Sequence, residues 1–462
     1  MSCPFAPEPV HPRPAPYTPN FLRRLGRGLH SWLALLNEWD FRISIGSLRF
    51  MGLNLFLVNQ PEAVRELLVE AVDDYPKHPF TLWILEPLIG RGIFSVNGPE
   101  WERQRRILDQ ALQLTQLQRV FPQMEGATAD LIARLDPVAD GRSMAIDAEM
   151  TMVTADVIVR TILSRPLGGE EAAVILEDFA HYQRRAGQAL MLRFLRLPKP
   201  WLSRYLGSYA GRIRSWISTA VEERLAASRP EGAPADLLQA LLESVDPLSG
   251  SSYSHGELVD QVCVLFLAGH ETSASVLSMA LYLLAQFADA QERLRSEVLA
   301  LLAGSGRPLG FEDLRRLPYA TALFNETLRL YPPLSFFIRE ARRESNLVGH
   351  RCPLGSLLVI SPWVIQRHQQ HWSEPDGFRP ERFLADTSTP EERRLARDAF
   401  LPFGLGPRKC PGAAFAQQEA LLVLAELVRR YELLPDLQHT PELVARLTLR
   451  SRNGIRLRLR RR

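Results

Sequence analysis

The stretch LPFGLGPRKCPG, Leu401 to Gly412, holds three glycines, three prolines and one cysteine. It runs straight into AAFAQQEALLVLAELVRR, whose apolar residues recur at helical spacing. Proline is favoured in the first turn of a helix, where its missing N–H would go unpaired anyway. Pro411 therefore reads as the start of a helix and Cys410 as the residue at its N-cap. Free backbone N–H groups and the positive helix end favour an anion at that place, so the setting favours thiolate. Gly404, Gly406 and Gly412 let the backbone approach something flat and bulky. A thiolate placed in this way is either a nucleophile or an iron ligand.

Upstream, LAGHETSAS (Leu267 to Ser275) interrupts two apolar runs that otherwise read as one long buried helix. A glycine inside a helix costs about 1 kcal/mol relative to alanine, and a buried carboxylate costs more unless it is paired or neutral. Such local failures are expected at functional sites. His270-Glu271 begins like the zinc motif HExxH, but the second histidine would fall on Ala274, which excludes a zinc site of that type. His270 reads as a helix-surface or capping residue.

The chain has 462 residues, 46% hydrophobic and 23% charged, with a formal net charge of +3. That composition fits a soluble globular protein and gives no support to nucleic-acid binding. The cysteines, Cys3, Cys263, Cys352 and Cys410, are far apart and form no CxxC or CxxCH. They fit a reducing, cytoplasmic setting and exclude a disulfide framework, a zinc finger and covalently attached haem. Seven prolines fall in the first nineteen residues, so that arm is expected to be extended and poorly ordered. No secretory signal is legible, and no uninterrupted apolar run reaches roughly 18 residues, so no transmembrane anchor is expected. Phe21 to Leu36 reads as an amphipathic helix, packed on the body of the protein in preference to a membrane surface.

Helical periodicity is clear over Pro61–Glu70, Gly126–Leu135, Thr151–Leu163, Tyr209–Ala227, Ala235–Ser244, His255–Phe287, Ala290–Ala303, Tyr319–Tyr331 and Gly412–Tyr431. Strand-like pieces are RISIGSLRFMGLNLFLV near the start, SLLVISPW (Ser356 to Trp363) and the C-terminal LTLRSRNGIRLRL. In the last of these, Asn453-Gly454 reads as a two-residue hairpin turn. Loops are marked at SRPEGAPAD, DPLSGSSYSHG and GSGRPLG. The organisation expected is an arm with a short helix over 1–36 and one mostly helical domain over 37–462.

Phe403, Gly406, Arg408, Cys410 and Gly412 match, residue by residue, the haem-binding signature of the cytochrome P-450 family, which the chain resembles. Other stretches extend the resemblance. Glu326 and Arg329 in FNETLRLYPP, followed by Arg382 in FRPERF, resemble the family's K-helix pair and its later arginine. The same Glu–Arg spacing recurs elsewhere, among other places at Glu102–Arg105, Glu292–Arg295, Glu340–Arg343, Glu391–Arg394 and Glu426–Arg429, and the flanking prolines and the distance to Cys410 single this one out. NGPEWERQRRIL, with Trp101 and Arg105, resembles the C helix. Ala268, Gly269, Glu271 and Thr272 match the I-helix pattern. No role is assigned to Gln366.

The resemblance implies a mainly α fold with small β-sheets, a triangular prism with haem b held non-covalently between its I and L helices. It implies Cys410 as iron ligand, with Arg408, Trp101, Arg105 and Arg339 at the haem propionates and Phe403, Gly404 and Gly412 around the cysteine. Thiolate ligation favours O–O cleavage. Thr272, Glu271, Gly269 and Ala268 would form the oxygen-activating face, with Thr272 donating towards the oxygen and Glu271 relaying protons from solvent. Gly269 would leave room there, and a helix hydroxyl would bond back to a carbonyl. Glu326, Arg329 and Arg382 are given a supporting role. Phe266, Phe336 and Phe337, with the loop PFTLWILEPLIGRGIFS, would line an apolar pocket.

The implied activity is insertion of one oxygen atom of O2 into an apolar small molecule, by hydroxylation or epoxidation. A fatty acid is the first expectation, with Arg184, Arg185, Arg193 and Arg196 in the lid available for its carboxylate; terpenoids and aromatics come next. No flavin or iron–sulfur module is encoded, so a ferredoxin or flavodoxin with its NAD(P)H reductase is implied. The alternatives are a peroxide-driven haem-thiolate hydroxylase, against which the Glu271-Thr272 pair speaks, and a non-enzymatic haem sensor.

Overall fold

A computed structural model describes residues 9–17, 21–50, 52–194, 197–226, 236–303 and 306–462. Cys3, Arg196 and most of SRPEGAPAD lie outside the described residues. Helices of thirteen residues or longer run over Gly98–Ala111 (α1), Leu114–Leu135 (α2), Ile146–Leu163 (α3), Gly169–Phe194 (α4), Lys199–Ala226 (α5), His255–Gln286 (α6), Ala288–Leu302 (α7), Pro318–Leu330 (α8) and Ala413–Arg430 (α9). The mainly α expectation holds.

Helix α6 is the centre of the core. Ser254 and Glu257 close a capping box at its start, which satisfies two of the N–H groups a helix leaves free. It is long and apolar enough to cross a membrane, but 67% of its most apolar window is buried by other elements. Its neighbours are α3, α5, α8 and α9. The helix is continuous through Gly269, with no local break. His270 departs from the surface or capping expectation. It is 1% exposed, its Nδ1 lies 2.7 Å from the Phe266 carbonyl, and it meets the Phe179 ring edge-on at 4.6 Å. Burial holds its pKa down at about 4, so it is a neutral core residue.

The strands form four small sheets. One has the order β1 (Ile45–Phe50), β2 (Leu53–Val58), β7 (Leu357–Ile360), β4 (Phe337–Glu340), with only β2 and β7 parallel. A second has the order β3 (Asp140–Ala145), β11 (Arg456–Arg461), β8 (Tyr431–Pro435). Two ribbons complete the set, β5 (Ser345–Leu347) with β6 (His350–Cys352), and β9 (Leu443–Ala445) with β10 (Leu449–Ser451). The C-terminal hairpin is a correction. β10 pairs with β9, while β11 pairs with β3 and β8, so Asn453-Gly454 links two different sheets. The Asn453 side chain accepts from Glu442 N at 2.8 Å and donates to Thr440 O at 3.0 Å, which fixes the turn without a cross-strand pair.

Near the start, the segment read as one amphipathic helix is split into Phe21–Gly28 and a 3-10 turn at Trp32–Leu35. Leu33 and Leu36 are buried in the core. The proline-rich arm is extended over 9–17 and is pinned there: the Val10 carbonyl accepts from the Tyr331 hydroxyl at 2.8 Å, and Ala15 bridges to Asn37.

Candidate functional site

The cysteine loop lies against the turn after β2, and its glycines explain how. Gly404 and Gly406 have φ of +71° and +68°, a region that side chains with a Cβ rarely adopt. A Cβ on Gly406 would sit 2.0 Å from the Leu68 carbonyl oxygen, so no side chain fits. The Cys410 N–H donates to the Phe403 carbonyl at 2.8 Å and closes the loop. One detail corrects the sequence reading: α9 begins at Ala413 with Gly412 at the N-cap, so Cys410 stands two residues outside the helix. The Gly412 N–H still reaches the sulfur, and Arg105 and Lys409 favour the thiolate, but burial dominates and pushes the thiol pKa up. The cysteine is open only towards an internal cavity. A thiolate there needs a cation facing it across that cavity.

The cavity has a volume of about 820 Å³. One wall is the α6 face carrying Leu265, Ala268, Gly269, Thr272 and Val276; the floor is Phe403, Gly404, Cys410 and Gly412. Leu82, Ile84, Leu85, Ile93 and Phe94 close another side, and Phe336 and Phe337 line it too. Phe266 does not. It is 2% exposed and packs on Phe179, Trp216 and His270, on the side of α6 that faces α4 and α5. The described lid arginines, Arg184, Arg185 and Arg193, do not line the cavity either. Arg185 lies over the rings of Tyr205 and Tyr209 at 4.7 and 4.6 Å and donates to the Tyr205 carbonyl, Arg193 donates to the Leu197 carbonyl, and Arg184 is exposed.

At one end of the cavity, positive charge converges. Arg339 is 8% exposed, its Nε has no partner, and burial beside Arg408 lowers its pKa to about 10. Arg408 lies over the Trp101 ring at 5.2 Å, and its Nε is also buried without a partner. Lys77, which sequence reasoning missed, bridges to Arg339 through the backbone, and its ammonium donates to the Ile93 and Phe94 carbonyls at 2.8 and 2.9 Å. Burial together with Arg339 and Arg408 pushes its pKa well down. Buried cations without a paired acid are costly, so this cluster is built for an anionic ligand. Arg105 is differently engaged, clamped by Asp109 at 2.8 Å and by the Lys409 carbonyl at 2.6 Å, so it ties α1 to the cysteine loop at the cavity edge.

At the middle of α6, Thr272 donates to the Ala268 carbonyl at 2.5 Å and lines the cavity. Gly269 lines it too, but a Cβ there would lie 2.4 Å from Ile158 Cδ1, so the glycine admits α3 rather than only opening space. Glu271 is 1% exposed and forms an ion pair with Arg450 of β10. Burial outweighs the pull of Arg450 and Thr448, so its pKa lies above the ordinary carboxylate value.

Behind the cysteine loop, Glu326, Arg329 and Arg382 are essentially inaccessible. Arg329 makes paired bonds of 2.7 Å to both Glu326 oxygens and donates to the carbonyls of Gln366, Pro375 and Gly377. Arg382 lies 3.4 Å from Glu326 and donates to the Glu374 carbonyl. Gln366, unassigned from sequence, donates to the carbonyls of Leu328 and Arg329 and accepts from Leu401 N. It connects the end of α8 to the start of the cysteine loop.

A thiol facing a large apolar cavity, with one buried and two half-buried cations at one rim, fits a flat, dianionic iron macrocycle. The comparisons agree. The family model described as Cytochrome P450 matches residues 12–456. Cyclooctatin synthase of Streptomyces melanosporofaciens is 30% identical over 82% of this chain and 81% of its own length. Pentalenene oxygenase of Streptomyces avermitilis is 29% identical over 93% and 94%. Human cytochrome P450 4V2 is 26% identical over 82% and 75%. Among solved structures, the cytochrome P450DA heme domain superimposes with a TM-score of 0.79 at 24% identity, covering 91% and 90% of the two chains. A cytochrome P450 (CYP102L1) does so with a TM-score of 0.81 at 23%, covering 98% and 100%. Fold and site define a haem-thiolate oxidoreductase. The chain belongs to the cytochrome P450 family, and its cofactor is protohaem IX.

Proposed function

We propose that this cytochrome P450 monooxygenase acts on a neutral, apolar terpenoid-type molecule, with electrons delivered by a separate ferredoxin or flavodoxin and its reductase. The observation that carries the substrate reading is the placement of charge. Lys77, Arg339 and Arg408 gather at the rim where the cofactor's carboxylates would sit, Arg24 is already held by the Leu35 carbonyl and Asp40, and the described lid arginines, Arg184, Arg185 and Arg193, do not line the cavity. Two relatives point the same way: pentalenene oxygenase carries a hydrocarbon in its name, and cyclooctat-9-en-7-ol 5-monooxygenase, 30% identical, carries an alcohol.

The cofactor, when bound, supplies the reductive activation of dioxygen, with one oxygen atom going to substrate and the other to water. The chain's own residues do the rest. Cys410 would hold the iron, and Arg339, Arg408 and Lys77 would neutralise the propionates, with Arg408 packed over the Trp101 ring. Thr272 directs its hydroxyl oxygen at the reacting face of the cavity, its proton resting on the Ala268 carbonyl. The apolar walls exclude water and leave shape to select the substrate. Haem-loaded protein should show a low-to-high spin change on titration with farnesol and a much weaker one with palmitic acid. Tighter binding of palmitic acid refutes the neutral-substrate reading.

A further inference from the structure

The cavity spans the first sheet from edge to edge. Arg339 of β4 and Val359 of β7 line it on one side, Leu55 and Leu57 of β2 follow, and Ile45 and Leu48 of β1 line the other. Neighbouring strands lie about 4.8 Å apart, so the β1 edge is roughly 14 Å from the strand that carries Arg339. Three polar side chains from the segment leading into β1 line the cavity as well: Arg24, Asn37 and Asp40. Asp40 is 7% exposed. Its Oδ2 accepts from Asn37 N at 2.7 Å and from Arg24 at 3.3 Å, and no donor among the described residues reaches its Oδ1. Arg24 donates from Nε and Nη2 to the Leu35 carbonyl at 2.8 and 2.6 Å, and its Nη1 has no acceptor among the described residues. Burial outweighs Asn37 and Arg24 at Asp40 and raises its pKa, as befits a carboxylate short of donors. Trp32 and Trp39 line the cavity around these groups.

The Arg24–Asp40 pair carries no net charge, yet it offers one free acceptor and one free donor. A carboxylate ligand would meet Asp40 and be repelled. A hydrocarbon would cover both groups and leave them unpaired. A hydroxyl group donates and accepts at once, and it satisfies both. We propose that Arg24 and Asp40 bind a hydroxyl group of the substrate at the end remote from the reacting carbon, with Asp40 Oδ1 accepting from it and Arg24 Nη1 donating to it. The inference rests on the neutral-substrate reading and narrows it to a terpenoid alcohol. A molecule held at the β1 edge lies across the sheet, with its hydrocarbon end at the Thr272 wall. A few convergent polar groups in an apolar cavity fix orientation in this way. Arg24 and Asp40 touch the substrate away from the reacting atoms and determine specificity and the position of oxidation.

The test is titration of the haem-loaded protein with farnesol and with farnesene, its hydrocarbon counterpart, read by the low-to-high spin change. The quantity that matters is the ratio of the two affinities, which removes the difference in their hydrophobicity. Arg24→Met should lower the preference for farnesol about tenfold and leave the affinity for farnesene near its wild-type value. Asp40→Asn should lower the preference less, because an amide oxygen still accepts, and Arg24→Lys should keep part of it. In turnover, the wild type should oxidise farnesol at the end remote from the hydroxyl, and Arg24→Met should spread oxidation along the chain. A ratio unchanged in Arg24→Met overturns the proposal. So does an equal loss for both ligands, which would leave the pair a structural role only, and so does unchanged regiochemistry. Palmitic acid in the same titration separates the two readings. If it binds more tightly than farnesol, the neutral-substrate reading fails. If farnesol binds more tightly but the ratio survives Arg24→Met, the hydroxyl site alone fails.

Discussion

Replacing Gly269 by alanine separates two explanations of a glycine in the centre of α6. If the residue only leaves space in the cavity, a methyl group enters that space freely and the helix gains the usual 0.5–1 kcal/mol, roughly, of alanine over glycine. The structure argues otherwise. An ideal Cβ would lie 2.4 Å from Ile158 Cδ1 and 2.7 Å from its Cγ1, whereas carbon contacts are optimal at about 3.5–4.0 Å. The terminal Cδ1 can swing aside, but Cγ1 moves only if Ile158 leaves the χ1 well that a β-branched residue strongly prefers in a helix. Overpacking of this kind costs about 1–3 kcal/mol, so Gly269→Ala should destabilise by roughly 0.5–2 kcal/mol net. Ile158 is 4% exposed, and Ile158→Ala alone should cost about 2–5 kcal/mol. In that background the methyl added at position 269 has room, so the same substitution should turn stabilising, giving a coupling of about 1–3 kcal/mol in a double-mutant cycle. Denaturant unfolding of the four proteins measures it. A Gly269→Ala variant that is more stable than wild type, with no coupling to Ile158, refutes the packing argument.

Cys410→Ser should abolish the red-shifted Soret band of the reduced carbon monoxide complex, and Cys263→Ser and Cys352→Ser, both at buried sites away from the cavity, should keep it. Glu326→Gln leaves Arg329 and Arg382 buried without their anion and should cost about 3–5 kcal/mol, read as a lowered denaturant midpoint with poor haem retention. Glu419 has a folded pKa raised from 4.5 to about 8. Its stabilising contribution is therefore complete below the unfolded value and is lost as pH rises through the folded one. Glu419→Gln should flatten the pH dependence of stability between these values, and an unchanged slope counts against a protonated buried acid.

Much of the site was legible because it is local. The cysteine signature packs chemistry and backbone constraints into one loop, and the buried cluster of Glu326, Arg329 and Arg382 was singled out by its resemblance to two family motifs, since the Glu–Arg spacing alone recurs along the chain. What was missed depends on phase or on distant partners. At about 100° per residue, Leu265, Ala268, Gly269 and Val276 share the Thr272 side of α6, while Phe266 falls well off it. Counting phase would have moved that phenylalanine into the core, where the structure has it. Lys77 gave one faint signal, a lone lysine just before an apolar run, but its role depends on β4 bringing Arg339 beside it. The hairpin at Asn453-Gly454 failed because turn chemistry fixes the turn and not the strands' partners. Helix α4 escaped notice because its buried stripe includes Ala172, Ala186 and Ala189 as well as Tyr182, which give a weak hydrophobic period.

The three polar residues at the centre of α6 owe their meaning to that same phase. Successive side chains leave a helix about 100° apart, so Glu271, Thr272 and Ser273 meet different neighbours although all three border the cavity. Glu271 meets Arg450 on β10, Thr272 faces the cavity, and Ser273 meets Glu419 on α9, the helix that follows Cys410. Each would be a defect in an apolar helix packed on all sides. With these partners, the segment joins the ribbon at one cavity wall, the reacting space, and the helix behind the iron ligand. A change in the packing of α9 against α6 would therefore alter the Ser273–Glu419 contact and the setting of Cys410 together. The chain's two buried carboxyls near Thr272 differ chiefly in that only one has an arginine. Burial raises the pKa of both, and at Glu271 that arginine offsets part of the rise.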